Sequence, residues 1–172
     1  MGYAVHLEPQ SAPPSAVAYR WDADTEILSV RLAHAPGESH AGEATHVVEL
    51  TGTDGSWLLL DLLGGAIDGV EIAVWPSDMS TEALRLPHEL EHVRAILTSK
   101  RSSGAMLADR TVPMAIERDQ QGRHLHLRVG PGRDARTVQL AQSLLLDVDP
   151  LDEIAGIWLL DVPPVPRRRP LA

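Results

Sequence analysis

The sequence contains no cysteine, no phenylalanine and a single lysine, Lys100. Without cysteine, disulfide bonds, thiolate catalysis and cysteine-ligated zinc are all excluded. Because Phe is absent and Tyr occurs only twice, a hydrophobic core has to be built mainly from aliphatic side chains. The preference for Arg over Lys, together with abundant Ala, Gly and Pro, is typical of GC-rich coding sequence and indicates nothing about function.

Charge and hydropathy patterning narrow the possible environments of the chain. The formal net charge is -9 and the pI is about 5.3, and such a surface repels nucleic acid and anionic lipid headgroups. No apolar run approaches the ~20 residues that a membrane-spanning helix needs. Residues 1–14 lack a basic region followed by an apolar stretch, so no secretory signal is expected. We therefore expect a cytoplasmic protein that binds neither nucleic acid nor membrane.

Eight short runs have the composition and alternation of β-strands. In residues 28–32 and 125–129 apolar side chains alternate with polar ones, which places one set in a core and the other in water. The other runs are residues 47–50, 58–62, 67–74, 138–140, 144–148 and 154–162. Glycine, aspartate and proline separate the runs, as is typical of turns. A chain of 172 residues, 44% of them hydrophobic, is long enough to bury a core.

The strand-like runs recur in the same order, which indicates an internal repeat. Leu28 corresponds to Leu125 at an offset of 97 residues. Residues 58–61 (LLLD) correspond to residues 144–147 (LLLD), and residues 67–70 (IDGV) correspond to residues 154–157 (IAGI). The offset shrinks at the presumed turns, where changes in length are best tolerated. One copy alone is too small for a secure core, so we expect the two copies to bury apolar faces against each other.

Two short motifs carry a resemblance to a known family. Residues 22–30 read DADTEILSV, and residues 67–72 read IDGVEI. They resemble the opening and closing strands of an uncharacterised family of small bacterial β-domains, a domain of unknown function, present here as a tandem duplication. In the second copy Arg123 replaces the acidic residue of the opening motif and Trp158 replaces the Glu of the closing strand. The family has no established activity, so the resemblance implies a fold and leaves the function open.

Together these patterns predict a mainly β fold, with two tandem four-stranded antiparallel meanders of pseudo-twofold similarity joined by one or two connector helices. The predicted boundaries are residues 16–77 for the first repeat, 78–111 for the helical connector, 112–162 for the second repeat and 163–172 for a flexible tail rich in Pro and Arg. Residues 7–15, rich in Pro and Ser, are predicted to be an irregular lead-in.

Four residues have predicted structural roles. We expect Asp22 and Asp119 to cap the turn into the first long strand of each copy. We expect Gly69 and Gly156 to mark a β-bulge or a close approach of backbone.

Residues 88–92 (HELEH) satisfy the H-E-x-x-H pattern and resemble the zinc-metallopeptidase signature. On a helix, His88 and His92 would lie one turn apart and share Zn²⁺, and Glu89 would activate the bound water. The surrounding sequence opposes this interpretation. Pro87 fits the first position of a helix, whereas a zinc-binding helix runs on before its first ligand. No third-ligand motif follows.

The apolar residues around this motif are spaced by four, three and four positions: Leu86, Leu90, Val93 and Leu97. This spacing predicts an amphipathic helix within residues 80–100, with both motif histidines on its solvent side. The other histidines are weaker candidates. His124 and His126 share a strand face and could chelate a metal, or simply face solvent; His34, His40 and His46 lie in or beside a loop rich in Gly and Glu.

Two functional hypotheses follow. The first is a non-catalytic protein-interaction or self-assembly module without a cofactor, most simply a homodimer, which could also bind another protein. The alternative is a small zinc-dependent hydrolase using His88, Glu89 and His92. The first is better supported, because no nucleophile elbow, phosphate-binding loop or dinucleotide motif is present. A third possibility is a small-ligand pocket between the two copies.

Overall fold

A computed structural model describes residues 3–34, 42–98 and 111–166, and over these residues the protein consists of strands and loops. The first seven strands are β1 (Ala4–Pro9), β2 (Val17–Asp22), β3 (Ile27–Leu32), β4 (Thr45–Gly52), β5 (Trp57–Leu63), β6 (Ala66–Val74) and β7 (Met79–Thr81). The other seven are β8 (Val93–Thr98), β9 (Thr111–Val112), β10 (Met114–Arg118), β11 (Leu125–Val129), β12 (Arg136–Ala141), β13 (Leu144–Val148) and β14 (Ile154–Leu159). The prediction of a mainly β fold is therefore confirmed. Among the described residues there is no helix, and so none that could span a membrane.

The predicted connector helix is wrong over the described part of residues 78–111. Residues 82–91 are irregular, and the chain then enters β8. β8 pairs antiparallel with β1 along its whole length, from Ala4 opposite Thr98 to Pro9 opposite Val93. This distant partner supplies the backbone hydrogen bonds that a helix would have made internally. The lead-in predicted to be irregular from residue 7 is consequently a strand as far as Pro9.

The strands form one sheet of eight and one of six. Within the larger sheet, an antiparallel set that we call the first unit has the order β2-β3-β6-β5-β4. Within the smaller sheet, the second unit has the equivalent order β10-β11-β14-β13-β12. In both units the first predicted strand pairs with the fourth, so neither is the simple meander predicted from the sequence. Parallel pairing of β9 with β4 and of β7 with β10 makes both sheets mixed.

The two units also agree in register. Arg31 lies opposite Gly69 in the first unit, and Arg128 lies opposite Gly156 in the second. On the other side of each glycine lies an aspartate, Asp61 in the first unit and Asp147 in the second. Immediately before each glycine, the pairing register shifts by one residue. The repeated sequence blocks therefore occupy equivalent places in the two units.

The short strands between the units exchange partners. β7 follows the first unit along the chain but pairs with β10 of the second unit. β9 precedes the second unit but pairs with β4 of the first. β1 pairs with β8 in the larger sheet, and its residue Ala4 also forms a bridge with Glu153 beside β14. Strand edges of each unit are thus covered by segments that adjoin the other unit in sequence.

A single aliphatic core is formed by the inward side chains of both units. Fully buried members include Leu28, Leu50 and Leu60 from the larger sheet and Leu144 and Ile157 from the smaller one. Tyr19 packs against this core from the first unit. Its hydroxyl donates to the carbonyl oxygens of Leu160 at 2.7 Å and Ser143 at 3.2 Å in the second unit. Burial raises the pKa of this phenol above its ordinary value. The expected packing of the two copies against each other is thus present.

Candidate functional site

A cleft of about 800 Å³, which we call the junction cleft, lies where the two units meet. Its walls come from residues 10–16 between β1 and β2, the end of β3, the start of β6, the start of β8 and the end of β12. This volume is within the range of small-molecule sites. Pro13, Pro14, Ile67, Val93 and Leu140 give the walls an aliphatic character.

Asp68 and His34 form an ion-pair contact in the wall of the junction cleft, with 2.7 Å between His34 Nε2 and Asp68 Oδ1. Asp68 is the extra residue of the bulge in β6, because Asp61 pairs with Gly69 while Leu62 pairs with Ile67. A bulge re-aims the side chain of the residue it inserts. The corresponding bulge residue of the second unit is Ala155, so the carboxylate is present in the first unit alone.

His92 lines the junction cleft from the position just before β8. Its Nδ1 lies 2.7 Å from the carbonyl oxygen of Ala12, and the backbone N–H of Gln10 donates to the His92 carbonyl at 2.9 Å. Since a carbonyl oxygen only accepts, Nδ1 carries the proton, and in the neutral ring Nε2 is left as an acceptor. The contact also holds the proline-rich wall of the cleft in place.

The H-E-x-x-H segment is not arranged as a zinc site. His88 and Glu89 lie in the irregular segment before β8, and Glu89 adopts a left-handed φ of 56°. Helical spacing of the two imidazoles, on which zinc binding would depend, is therefore missing. His88 is exposed, whereas His92 is half-buried in the junction cleft. Across the described ranges no group of three or more His, Asp or Glu side chains is arranged so that it could hold a metal ion.

Asp22 and Asp119 lie at the equivalent turns that lead into β3 and β11. The Asp22 carboxylate accepts from the backbone N–H groups of Asp24 at 3.0 Å and Thr25 at 3.3 Å. These bonds hold the pKa of Asp22 below its ordinary value. Asp119 accepts from the backbone N–H of His124 at 2.9 Å and of Arg123 at 2.7 Å, and its pKa is lowered chiefly by the bond from His124.

Gly69 and Gly156 lie where neighbouring chain comes too close for a side chain. A Cβ at Gly69 would lie 2.8 Å from the carbonyl oxygen of Val30. A Cβ at Gly156 would lie 2.8 Å from Asp147 Oδ2 and 3.0 Å from His126 Nε2. Both glycines directly follow a bulge.

A polar cluster centred on His126 was not predicted from the sequence. His126 Nδ1 lies 3.0 Å from Glu117 Oε2, and His126 Nε2 lies 2.8 Å from Asp147 Oδ2. The ring stacks on Trp158 with 3.9 Å between centroids, and Asp147 also accepts from Thr137 Oγ1 at 2.6 Å. Sequence alternation identified His126 as a strand residue but gave no sign of its partners, which lie on three other strands.

The other candidate histidines are dispersed. His124 Nδ1 accepts from the Asp161 backbone N–H at 3.3 Å, so it does not chelate with His126, whose ring nitrogens both face carboxylates. His46 is exposed on β4. His40 lies outside the described residues.

Each unit has an outward face on the side opposite the core, and the two outward faces differ in how far their apolar side chains are buried. In the second unit Leu145 is fully buried and Trp158 is 7% exposed. Residues 82–91 connect the two edges of this sheet, because Glu82 N–H donates to Arg118 O and Gln139 N–H donates to Glu91 O. Since the core fills the inward face, we infer from these two end contacts that this crossing segment runs over the outward face.

The equivalent face of the first unit is open. Val47, Trp57 and Val74 are 55%, 39% and 46% exposed, and Trp57 pairs directly with Val74 across β5 and β6. We call these three residues the open apolar patch. Arg31 and Asp61 form an ion pair of 3.0 Å on the same face.

The sequence matches no known protein family, and no curated protein is significantly similar to it. The resemblance to a small bacterial β-domain therefore stays a prediction.

Proposed function

We propose that the protein is a non-catalytic interaction module that self-associates as a homodimer through the open apolar patch. The observation that carries this proposal is the contrast between two equivalent faces. In the second unit Leu145 and Trp158 are buried, whereas in the first unit Val47, Trp57 and Val74 are exposed. Trp57 and Val74 are adjacent, and Val47 lies further along the same face. Large exposed apolar side chains on one face are typical of interaction surfaces, and Trp is prominent among the residues that dominate binding energy.

A second copy is the occupant that best suits this face. A twofold arrangement sets each open apolar patch against its equivalent and is the commonest symmetry of soluble homo-oligomers. Arg31, 64% exposed at its side chain, lies on the same face as the exposed Glu49. The face therefore carries both positive and negative side chains and can pair with the same face of a second copy. The net charge of -9 makes the remaining surfaces of the two copies repel each other.

Light scattering at several concentrations tests self-association directly. We expect a mass of twice 18.7 kDa for the native chain and a monomer for Val47→Ser combined with Trp57→Ser. Leu151→Ser is the matched control, since Leu151 is 75% exposed in the turn between β13 and β14. A native chain that is monomeric throughout would contradict the homodimer. If that monomer bound a different protein and the binding were lost with the Val47 and Trp57 substitutions, the protein would still be an interaction module, but not a homodimer.

The zinc-hydrolase alternative is tested separately. We expect chelator-free protein to contain no stoichiometric zinc and Glu89→Gln to change no activity in a hydrolase screen. Bound zinc that is lost on His88→Ala, together with activity abolished by Glu89→Gln, would reverse this assignment.

We also infer that the two units arose by tandem duplication of a domain resembling the small bacterial β-domain, over residues 16–77 and 112–162. The equal strand order and the equivalent glycine, arginine and aspartate pairings support this. Superposing the units with Leu28 on Leu125 and Gly69 on Gly156 tests the pseudo-twofold relation. Misalignment of the remaining strands would contradict it.

A further inference from the structure

The junction cleft has the chemistry of a ligand site, and its occupant does not depend on self-association. We propose that the cleft binds an aliphatic amine, a ligand with a protonated nitrogen on a linear hydrocarbon body. The walls favour such a body. Their apolar part is formed by proline, alanine and branched aliphatic side chains, and the described lining residues include no Tyr or Trp on which a flat aromatic ligand would stack.

The polar atoms of the cleft favour a hydrogen-bond donor. Asp68 bonds His34 through Oδ1, and its Oδ2 has no hydrogen-bond partner among the described residues. His92 presents Nε2 as an acceptor because Nδ1 donates to Ala12. Gln10 donates through Nε2 to the carbonyl oxygens of Glu8 and Pro9, which leaves Oε1 as an acceptor. An ammonium group supplies three N–H donors and one positive charge.

These three acceptors come from three different walls of the cleft: the segment after β1, the bulge of β6 and the start of β8. Arg94 is the one Arg or Lys among the described lining residues, and it is exposed. The acidic balance of the whole chain further favours a cation over an anion.

The position of Asp68 supports a role specific to the cleft. The two units share their bulge, yet only the bulge that faces the cleft carries a carboxylate; its counterpart is Ala155. A purely structural bulge needs no acidic side chain, as the second unit demonstrates. One oxygen of the Asp68 carboxylate contacts His34, and the other is available to a ligand.

Calorimetric titration with hexylamine, hexanoate and hexan-1-ol at low ionic strength tests the ligand class. We expect saturable binding of hexylamine alone, with NMR shift changes at the backbone amides of Ala33, Ala66 and Ala95 around the cleft. Equal or tighter binding of hexanoate or hexan-1-ol would overturn the proposal. Absence of hexylamine binding, or shift changes confined to other surfaces, would also overturn it.

Two substitutions and a control test the site itself. Asp68→Asn should weaken hexylamine binding by about tenfold or more, because a charge-assisted contact is lost. Gln10→Glu should strengthen it, and this exposed position keeps the test informative if Asp68→Asn fails to fold. Asp152→Asn removes the same charge from an exposed turn with φ of 57°, which Asn tolerates. Equal weakening by Asp68→Asn and Asp152→Asn would indicate general attraction to an acidic protein and overturn the site.

Discussion

His126 lies between two carboxylates on the outward face of the second unit, so its removal leaves both without their shared partner. The side chains of His126, Glu117 and Asp147 are 14%, 18% and 11% exposed. Removing one partner of a fully buried charged pair costs about 3–5 kcal/mol. The cost here is smaller, because Asp147 keeps the Thr137 hydroxyl and Glu117 keeps Arg128. We expect His126→Ala to lower the free energy of unfolding by about 2–4 kcal/mol, measured by urea denaturation.

The first unit supplies the control for this substitution. Ser29 occupies the position equivalent to His126 and makes one hydrogen bond, from its hydroxyl to Glu71 at 2.7 Å. Ser29→Ala should cost about 1 kcal/mol, the usual value of one hydrogen bond. Equal losses for Ser29→Ala and His126→Ala would show that the His126 cluster contributes no more than an ordinary contact.

The glycine that faces this cluster gives a second prediction. A methyl group at Gly156 would meet Asp147 and His126 at 3.0 Å or less, so Gly156→Ala should destabilise the protein by about 1–3 kcal/mol. Gly132→Ala is the control, because nothing lies within 4 Å of a Cβ there. Thermal unfolding distinguishes the two. A midpoint for Gly156→Ala as high as that of Gly132→Ala would contradict the close approach.

At the scale of single residues, the sequence predicted those side-chain contacts whose two partners are close together along the chain. Asp22 bonds backbone groups two and three residues ahead, and such turn contacts follow from residue type alone. The partners of His126 lie on β10, β13 and β14, and no local pattern marks them. Its alternation with apolar neighbours predicted a solvent-facing residue, whereas in the structure side chains from distant parts of the chain contact its ring.

At the scale of elements, strands were predicted well because alternation reports burial on one face. The helix prediction failed over residues whose apolar spacing also fits a loop followed by a strand. In β8, buried Val93 and Ala95 alternate with exposed Arg94. Pairing with β1 decided the outcome, and the second half of β1, residues 7–9, lies in the lead-in predicted to be irregular. The sequence also did not predict that β7 and β9 pair with the opposite units, because each strand is short and its partner lies outside its own repeat.

The crossing segment gives a prediction at the element scale. Leu90 is half-buried, whereas Leu86 is 40% exposed. Leu90→Ala should therefore cost about 1–2 kcal/mol, less than the 2–5 kcal/mol of a fully buried leucine. Leu86→Ala should cost less than about 1 kcal/mol. Urea denaturation of both variants measures the difference, and a larger loss for Leu86→Ala would mean that the segment presents its other side to the sheet.

At the scale of the whole molecule, three carboxylates in turns make the free energy of unfolding depend on pH in the acidic range. Hydrogen bonds lower the pKa of Asp22, Asp54 and Asp119 below the ordinary 3.8; for Asp54 the strongest comes from the Ser56 hydroxyl. Because the folded pKa is the lower one, each group stabilises the fold fully above 3.8 and loses that contribution as pH falls through its folded pKa.

We therefore expect the urea midpoint to fall steeply below about pH 4. Asp54→Asn should flatten this fall, because Asp54 bonds both Ser56 and Ser77 and thereby ties two turns together. Asp152→Asn, in an exposed turn, should leave the slope unchanged. An acid profile of the Asp54→Asn protein identical to that of the native chain would exclude Asp54 as a source of the effect.

The junction cleft could not be predicted, because it exists only once the whole molecule is assembled. His34, Asp68 and His92 come from the first unit and from β8, while Leu140 comes from the second unit. The sequence suggested a pocket between the copies but not which side chains line it. His92 was noticed for its spacing from His88, and the fold gives it a different neighbour, Ala12.

The exchanged strands have a consequence for a chain that is cut. A break within residues 99–110 would separate a piece ending after β8 from a piece beginning at β9. The first piece keeps β7, which pairs with β10, and the second keeps β9, which pairs with β4. Each fragment would hold the other through one short strand, β7 of the first piece and β9 of the second, and through the shared core. The two halves are therefore suited to reconstitution in trans, as the split parts of a complementation reporter are.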